Sequence, residues 1–461
     1  MHLEKLTRRG FVVSSGIAAL ALTGRDPRTS AAVADTATQG GSATSYRVAT
    51  TQPNDGVVLH PYHDDGIMRG SPPPPDKLVT VDDPPRDEPR ARWANLHMRE
   101  LWPTQTISPG LDGVIVLPRK PLDIDPIEVT DKAGDTVKMK DYLTRTKTDA
   151  FLIIKDGCIV NEQYFNGTRP DTPHVLWSAQ KSIYGTTFAT LMGKGELDAD
   201  KPIEHYVPEL AETGYRGATV RQILDMRSGV RFAYDFEAPQ CELSRFDGAG
   251  KAKIGDEEVP VGVRSFLLTL EKARAHGKWI AYKESDPYVL AWAAERITDQ
   301  RFADLISERI WSQLGAENEA YTTCDALGFP LFMAAALRDL GRWGLMCLQE
   351  GSLNGRQIVP RTFFRDIQEN TNVKVMAESL KNVAPDEGFY LPPVPEGTGY
   401  RSFYWIGAGH GGAYGAFGYQ GQNCYIFPKH QTVVVRFASD LEPPDEGSHL
   451  GWEITRALAS L

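Results

Sequence analysis

Two regions of the chain show pairs of apolar, β-favouring runs separated by a short polar turn. Near residue 150, Phe151–Ile154 and Cys158–Phe165 flank Asp156-Gly157, and an Asp-Gly pair supplies the positive φ angles that a tight hairpin turn requires. Near the C-terminus, Gln422–Phe427 and Thr432–Ala438 flank a second polar turn in the same way. We therefore predict two β-hairpins, which together form an antiparallel sheet built from both ends of the chain.

The region between these hairpins, roughly residues 195 to 395, has apolar residues at helical spacing and turns rich in Gly and Pro. The predicted helices are Thr219–Met226, Val263–Ala275, Val289–Thr298, Phe302–Leu314, Leu331–Gln349 and Pro360–Glu369. One further helix begins near Ser178, and another, Trp452–Leu458, closes the chain. The pattern predicts an α/β (α+β) fold, in which helices flank the antiparallel sheet and a mainly helical lobe is inserted between its two halves.

Residues 35–146 lack this periodicity and contain prolines that break regular elements, at Pro72–Pro75, Pro84-Pro85 and Pro89. We predict an irregular, Pro-rich extension that wraps the body of the protein. Its apolar residues would anchor it there, which a free linker could not do. These anchors are Trp93, Leu96, Met98, Leu101 and Trp102. The folded body is expected to span residues 147–461.

The first 34 residues have the features of an export signal. Thr7-Arg8-Arg9-Gly10-Phe11-Val12 precedes a moderately apolar run, Val13–Leu22, and Ala32-Val33-Ala34 fits a cleavage site of small residues. We predict a twin-arginine signal peptide over residues 1–34 and a mature protein that is periplasmic or secreted. The apolar run is shorter than the roughly 18 residues of a membrane span, so no stable membrane anchor is expected.

Charge and cysteine usage exclude several classes of function. The formal charge of −10 argues against sequence-independent binding to nucleic acid, because no basic stretch beyond the first thirty residues could neutralise several phosphates. The five cysteines lack Cys-x-x-Cys spacing, so they indicate small buried residues with room for one disulfide. The segment His60–Asp65 has metal-binding side chains, but Pro61 disfavours a helical ligand pair, so a solvated turn is favoured. We expect neither a metal nor a cofactor.

Ser178 and Lys181 are three residues apart at the start of a predicted helix, and this spacing places both side chains on one face. A lysine that loses its proton can activate a neighbouring hydroxyl, so the pair is a candidate nucleophile and base. Ser-x-x-Lys alone is a weak signal, and its order relative to a tyrosine, a glycine-rich segment and the two hairpins makes it more specific. The other interpretation is a helix cap at Ser178 and a solvated Lys181.

Several stretches, together covering roughly residues 147 to 461, carry a resemblance to a known family. They are Ser178–Lys181, Gly195–Leu210, Ile223–Val230, Tyr282–Trp292, Ala336–Arg342 and Gly418–Gln422. In them the chain resembles the serine β-lactamase and penicillin-binding-protein superfamily, specifically the class C and esterase-like branch that includes 6-aminohexanoate-dimer hydrolases. The resemblance implies a β-lactamase/transpeptidase-like fold and a serine hydrolase domain over residues 147–461.

The resemblance implies that Ser178 is the acylated nucleophile, that Lys181 is its general base, and that Tyr282 shuttles a proton to the leaving group. Burial agrees with the base role, because desolvation disfavours the ammonium. Tyr164 and Tyr400 also fit the Tyr-x-Asn/Ser pattern. Tyr282 is preferred because the apolar residues after it follow the family's spacing, whereas Tyr164 lies in a core hairpin before the nucleophile.

The chain departs from the family pattern at two points. Glu284 stands where the family has Ser or Asn, with Ser285 one position later, and a carboxylate beside Lys181 would favour the ammonium and oppose the base role. Lys-Thr-Gly is absent, and its strand position corresponds to Ala416-Phe417-Gly418-Tyr419, as in the esterase and amide-hydrolase branch. Without that lysine a substrate carboxylate loses a partner, so β-lactam hydrolysis ranks below ester or amide hydrolysis.

The resemblance also indicates where a substrate binds. The backbone amides of Ser178 and Tyr419 would form an oxyanion hole, and Gly418 would let a substrate carbonyl approach the strand edge. His410 lies in a glycine-rich loop and is a candidate substrate contact. Pocket walls are expected from four aromatic residues that are equally good core candidates, namely Trp177, Tyr234, Phe236 and Tyr404.

We predict a serine hydrolase that cleaves a small-molecule ester or amide through an acyl-enzyme. The alternative in the same superfamily is a β-lactamase or D-amino-acid peptidase that acts on cell-wall-like substrates. The alternative of another class is a non-catalytic binding protein with the same fold, and Glu284 is the feature that favours it. Gly-x-Ser-x-Gly is absent, so an α/β-hydrolase elbow has no candidate. The oligomeric state has no signal in the sequence.

Overall fold

Strands from distant parts of the chain pair into sheets. In the computed structural model, residues 45–441 are described except 63, 83–86, 132–133, 236–237, 239, 256–258, 384–387 and 408–411. The strands are β1 Arg47–Ala49, β2 Val58–Leu59, β3 Thr104–Ile107, β4 Val114–Val116, β5 Glu128–Thr130, β6 Thr136–Lys138, β7 Thr148–Lys155, β8 Cys158–Tyr164, β9 His174–Val175, β10 Ala320–Cys324, β11 Pro330–Ala335, β12 Ser352–Leu353, β13 Arg356–Gln357, β14 Gly399–Arg401, β15 Tyr404–Ile406, β16 Tyr414–Gly418, β17 Gln422–Phe427 and β18 Thr432–Ala438.

Helices cover these sheets and fill the space between them. They are α1 Glu88–Leu96, α2 Met98–Leu101, α3 Met139–Arg145, α4 Gln180–Gly193, α5 Val220–Leu224, α6 Glu242–Lys251, α7 Val263–Leu267, α8 Ser285–Thr298, α9 Phe302–Arg309, α10 Leu337–Leu348, α11 Arg361–Glu369 and α12 Val373–Asn382. Helix α10 packs on β7, β17 and β18, and α4 packs against α8 and α9. The predicted helix Trp452–Leu458 lies outside the described residues.

Both predicted hairpins are confirmed, and they adjoin each other in the largest sheet. Its strand order within the described residues is β14-β15-β16-β17-β18-β7-β8-β2. Asp156 and Gly157 take φ angles of 48° and 73° in the turn between β7 and β8, as the Asp-Gly pair predicts. Strand β18 pairs antiparallel with β7, from Thr432 opposite Lys155 onward. The sheet is therefore built from both ends of the folded body, as expected.

The region predicted as mainly helical contains strands β10 and β11, which pair with β3 and β9 from earlier in the chain to form a second sheet, with strand order β3-β10-β11-β9. The predicted helix Leu331–Gln349 is wrong at its start, because Pro330–Ala335 is strand β11 and α10 begins at Leu337. Strand β11 is buried and paired on both sides, so its residues are almost all apolar, and periodicity cannot distinguish such a strand from a buried helix.

Predicted helix ends also shift where the backbone pairs with a distant loop. The helix expected over Val263–Ala275 ends at Leu267. Beyond it, the carbonyl oxygens of Leu270 and Glu271 accept hydrogen bonds from the amides of Gly214 and Arg231. Those carbonyls are therefore satisfied outside a helix.

The N-terminal extension is more regular than predicted. Between residues 45 and 146 it contains α1, α2, α3 and six short strands, joined by stretches without regular structure. Strand β2 pairs with β8 at the edge of the large sheet, and β3 pairs with β10. These strands are too short to give a periodic signal alone, and their partners, remote in sequence, determine them. The apolar anchor Met98 is buried, as expected.

Two buried arginines of α10 hold the extension against the body. The Arg338 guanidinium donates to the Glu162 carboxylate at 2.7 Å and to the Asn54 side chain at 2.7 Å. Arg342 donates to the carbonyl oxygen of Ile115 at 3.0 Å. Both arginines are fully buried, so their contacts with the extension replace water.

Other sequence expectations concern cysteines, metals and membranes. All five cysteines are buried and free. His60 stacks on Phe165 with ring centroids 4.0 Å apart, and the described residues contain no group of three His, Cys, Asp or Glu side chains that could hold a metal ion. Along the described chain, no helix has both the length and the apolarity needed to cross a membrane. The predicted signal peptide lies outside the described residues and stays a prediction.

The buried Glu162 gives a stability test of this architecture. Its carboxylate accepts from Arg338, Arg119 and Tyr164, so Glu162→Gln leaves Arg119 without this counter-charge and Arg338 with only the longer contact to Glu317, at 3.2 Å. We expect a loss of about 3–5 kcal/mol in the free energy of unfolding, measured by urea denaturation. Asp304→Asn breaks the exposed pair with Arg301 and should cost at most about 1 kcal/mol. Equal small losses in both variants would contradict the role of Glu162.

Candidate active site

A short 3-10 turn, Trp177–Ala179, leads directly into α4 and carries Ser178. Trp177 has a φ of 44°, in the left-handed region that residues other than Gly seldom adopt. Strand β11 holds this turn in place, because the amide of Leu176 donates to the carbonyl oxygen of Met333 at 2.8 Å. The residues of α4 from Gln180 to Leu191 are all buried, so the helix cannot rotate in place.

Ser178 and Lys181 are in contact, as their spacing predicts. The Lys181 Nζ lies 2.7 Å from the Ser178 Oγ and donates a hydrogen bond to it. Lys181 is only 1% exposed, which excludes the interpretation of a solvated lysine. Ser178 is partly exposed. A substrate can therefore reach the hydroxyl, whereas the amine is shielded from water.

Tyr282 is the one of the three predicted tyrosines that reaches this pair. Its ring centroid lies 4.9 Å from the Lys181 Nζ. Burial raises the pKa of the Tyr282 hydroxyl, and interactions with Lys181 and Ser178 counter that rise only in part. Tyr164 instead donates to Glu162 in the core, and Tyr400 packs edge-on against Trp405.

Glu284, which replaces the Ser or Asn of the family pattern, contacts Lys181 directly and lies in the centre of the site. The two carboxylate oxygens lie 2.8 and 2.7 Å from the Lys181 Nζ. The Tyr234 hydroxyl donates to Glu284 Oε1 at 2.9 Å, and Ser178 Oγ lies 3.4 Å from the same oxygen. One carboxylate therefore contacts the lysine, the serine and a tyrosine.

The carboxylate determines the charge of the lysine. Burial alone would lower the pKa of Lys181, but the Glu284 carboxylate and Tyr282 outweigh it, so the pKa of Lys181 lies above its ordinary value. The raised pKa and the 2.7 Å ion pair with Glu284 both favour the ammonium form of Lys181, which opposes its role as an uncharged base.

Strand β16 runs against the turn that carries Ser178, as the predicted oxyanion hole requires. A Cβ on Gly418 would lie 2.3 Å from the Leu176 carbonyl oxygen and 3.0 Å from the Ala179 amide nitrogen. The glycine is thus required by the contact of two backbones, and this contact brings the segments of Ser178 and Tyr419 together. The Tyr419 ring is 44% exposed and meets Trp177 edge-on at 6.2 Å.

The predicted pocket walls separate into three groups. Trp177 and Tyr234 lie at the site, where Trp177 packs on Tyr419 and Tyr234 donates to Glu284. Tyr404 is fully buried in the core, stacked with Trp343 at 6.0 Å, which is the core position that the sequence left open for it. Phe236 and His410 lie outside the described residues.

Two features of the site have no signal in the sequence. Tyr390 packs on Tyr234 at 4.5 Å, and its carbonyl oxygen accepts from the Tyr282 amide at 2.7 Å. Asn95, in the extension, donates to the side chain of Gln420 at 2.5 Å. Gln420 has a φ of 62° and follows Tyr419, so Asn95 braces the turn beyond the oxyanion strand. Both contacts join residues far apart in the chain, which local patterns cannot reveal.

A cavity of about 580 Å³ opens elsewhere, at the other end of α4. It is lined by Met192, Pro360, Arg221 and Asp366, among others, and the last two form an ion pair at 3.4 Å. The candidate site is therefore identified by the contacts of Ser178 and not by cavity size.

The chain is similar to proteins of one family over most of its length. The family model described as Beta-lactamase matches residues 138–459. A 6-aminohexanoate-dimer hydrolase from Paenarthrobacter ureafaciens is 30% identical over 367 residues, which are 79% of this chain and 89% of that protein.

Solved structures give the same assignment of fold. A structure from Bacillus anthracis that bears the provisional name 6-aminohexanoate-dimer hydrolase superposes with a TM-score of 0.72 at 27% identity, over 81% of this chain and 95% of that one. A family VIII carboxylesterase matches with a TM-score of 0.51 at 14% identity, over 69% and 94% of the two chains. The latter similarity concerns the fold alone.

Gly418→Ala tests the backbone contact beside Ser178. Because the added Cβ meets the main chain of Leu176, strand β16 must move away from the turn. We expect labelling of Ser178 by a fluorophosphonate to slow by roughly 10-fold or more, since a displaced oxyanion donor costs up to about 10²–10³ in rate. Gly248→Ala, whose Cβ would have its nearest neighbour at 3.6 Å, is the matched control and should label normally. Normal labelling of both variants would refute the contact's role.

Proposed function

The chain belongs to the Beta-lactamase family, and we propose that it cleaves a small linear amide through an acyl-enzyme formed on Ser178. Family membership and the β-lactamase/transpeptidase fold agree with the resemblance found in the sequence motifs. The chain is a hydrolase of this family. The nucleophile, the substrate and the steps below are our proposal.

One observation carries the proposal. The hydroxyl of Ser178, a partly exposed residue, lies 2.7 Å from a buried amine at the start of a buried helix, a geometry that a structural serine does not need. Tyr282 is in contact with the same amine. Together they provide a nucleophile, a proton-accepting system and a second proton carrier.

The reaction would proceed in two displacements. The Ser178 Oγ attacks the amide carbonyl carbon, and its proton passes to the group around Lys181. The amides of Ser178 and Tyr419 stabilise the negative oxygen of the tetrahedral intermediate. Tyr282 delivers a proton to the nitrogen as the C–N bond breaks, and the amine leaves. Water then attacks the ester, and the acid is released as Ser178 regains its proton.

The preference for an amide rests on two points. The relative from Paenarthrobacter ureafaciens, which aligns over 89% of its own length, is named for hydrolysis of 6-aminohexanoate dimer, a linear amide. In addition, β16 carries Ala416-Phe417-Gly418 where a β-lactam-recognising strand would offer Lys-Thr-Gly, so no lysine of that motif meets a substrate carboxylate. Short esters are also expected to react, because an ester has a better leaving group than an amide.

Glu284 favours one competing function. An ammonium at Lys181 cannot accept a proton, so the site would also suit a protein that binds a ligand without cleaving it. Labelling experiments distinguish the two, because only a reactive Ser178 forms a covalent adduct.

We expect a fluorophosphonate to label the protein at one residue, Ser178, as located by mass spectrometry of the modified peptide. Ser178→Ala should abolish labelling and all hydrolysis, because the nucleophile is gone. Ser307→Ala, which changes a half-buried serine of α9, is the matched control and should label fully. Equal labelling of the Ser178→Ala protein would refute the assignment, and failure of the wild type to label would favour a binding protein.

Substrate rank tests the amide preference. We expect kcat/KM to be higher for a linear dimer of 6-aminohexanoate and for short nitrophenyl esters than for nitrocefin. The physical reason is the missing strand lysine, without which the β-lactam carboxylate has a weaker anchor. Nitrocefin as the best substrate would favour the β-lactamase alternative.

We also propose export by the twin-arginine route, on the basis of Arg8-Arg9 and the apolar run after them. A reporter fused to residues 1–40 should leave the cytoplasm, and Arg8→Lys together with Arg9→Lys should retain it there. Export that survives the double substitution would contradict the proposal.

A further inference from the structure

We propose that Glu284 is the final acceptor of the Ser178 proton and that Lys181 relays the proton between them. This inference rests on the proposed acyl-enzyme function and identifies which group finally takes up the proton that Ser178 loses. Its basis is a continuous line of contacts, from Ser178 Oγ to Lys181 Nζ at 2.7 Å and from Nζ to Glu284 Oε2 at 2.7 Å.

The ammonium at Lys181 has no lone pair, so it cannot accept the serine proton unless it gives one away. The group placed to take that proton is the carboxylate in contact with it. The direct path from Ser178 to Glu284 is longer, at 3.4 Å, than either step through the lysine. Each proton transfer in the relay therefore crosses a shorter hydrogen bond than the direct transfer would.

The step balances in atoms and charge. As the bond from Oγ to the carbonyl carbon forms, the serine proton moves to Nζ and one Nζ proton moves to Glu284. The lysine stays an ammonium, the glutamate becomes a neutral acid, and the negative charge moves from the carboxylate to the tetrahedral oxygen. When the C–N bond breaks, Tyr282 protonates the departing nitrogen, and Lys181 and Glu284 return one proton to Tyr282. The carboxylate is then restored.

The surroundings of Glu284 suit a group that changes charge once per turnover. Its side chain is 11% exposed, so bulk water does not compete strongly for the proton. The titratable groups that act on it or lie near it are Lys181 and Tyr184 from α4, Tyr234 from the loop before α6, Tyr282 beside it, Tyr288 from α8 and Tyr400 from β14. Lys181 is the cation in this set. Lys283 and Asp286 form a separate buried pair at 3.6 Å.

Glu284→Gln tests the relay, because the amide keeps the size and an acceptor oxygen but cannot take up a proton. The measurement is the rate at which a fluorophosphonate phosphonylates Ser178, with release of fluoride, from pH 5 to pH 10 with the full chain. For the wild type we expect a rate that stays flat from neutral pH upward, because the relay does not require Lys181 to lose its charge first. For Glu284→Gln we expect a loss of roughly 10²–10⁴-fold at pH 7.

The variant should also change the shape of the pH profile. Without the carboxylate, burial favours the neutral amine, and Lys181 can accept the proton itself once it is deprotonated. The rate of Glu284→Gln should therefore rise through the alkaline range, where the wild type is flat. Glu284→Asp keeps an acid, and it should retain the wild-type shape at a lower rate.

Glu295→Gln is the matched control. Glu295 also carries a carboxylate and lies within α8. Its side chain is 10% exposed, and it pairs with Arg264 instead of contacting Ser178. This variant should keep the wild-type profile even if its melting temperature falls. A Glu284→Gln protein that matches the wild type in rate and shape would overturn the relay and leave Glu284 as a restraint on Lys181. If the wild type itself is not labelled at Ser178, the proposed function fails first.

Discussion

The buried ion pair of Lys181 and Glu284 constrains the rest of the candidate site. Removing either charge from water costs several kcal/mol, and a close partner of opposite sign is needed to offset that cost. The two groups come from different elements, the first turn of α4 and the residue that precedes α8. Their contact therefore depends on how these two helices pack. Any shift of α8 relative to α4 would separate the two charges and leave Lys181 buried without its partner.

Helix geometry supports the same arrangement. Glu284 is the N-cap residue of α8, and Ser178 lies just before α4, so the positive ends of two helix dipoles meet at the site. A negative carboxylate at such an end is stabilised by roughly 0.3–1 kcal/mol. The developing negative charge on a substrate oxygen would benefit in the same way. The fold thus supplies favourable fields before any substrate arrives.

How much of this could be read from the sequence depends on how local each feature is. The hairpins, the Ser178–Lys181 pair and the choice of Tyr282 follow from residues close together in the chain, and the structure brings them where they were expected. Strands β10 and β11 were missed because a strand buried on both faces has no alternating pattern. The Tyr390 contact and the charge of Lys181 depend on neighbours more than a hundred residues away, and the core position of Tyr404 depends on Trp343, 61 residues away.

The contact between Asn95 and Gln420 changes what counts as the catalytic unit. The motifs begin at about residue 147, yet a side chain from the preceding segment holds the bend next to a proposed oxyanion donor. The residues that hold the site in place therefore begin earlier in the chain than the recognisable motifs do. Substitutions in this apparently accessory segment could adjust turnover during evolution without altering any reacting group, and a fragment trimmed to the motifs would lose that adjustment.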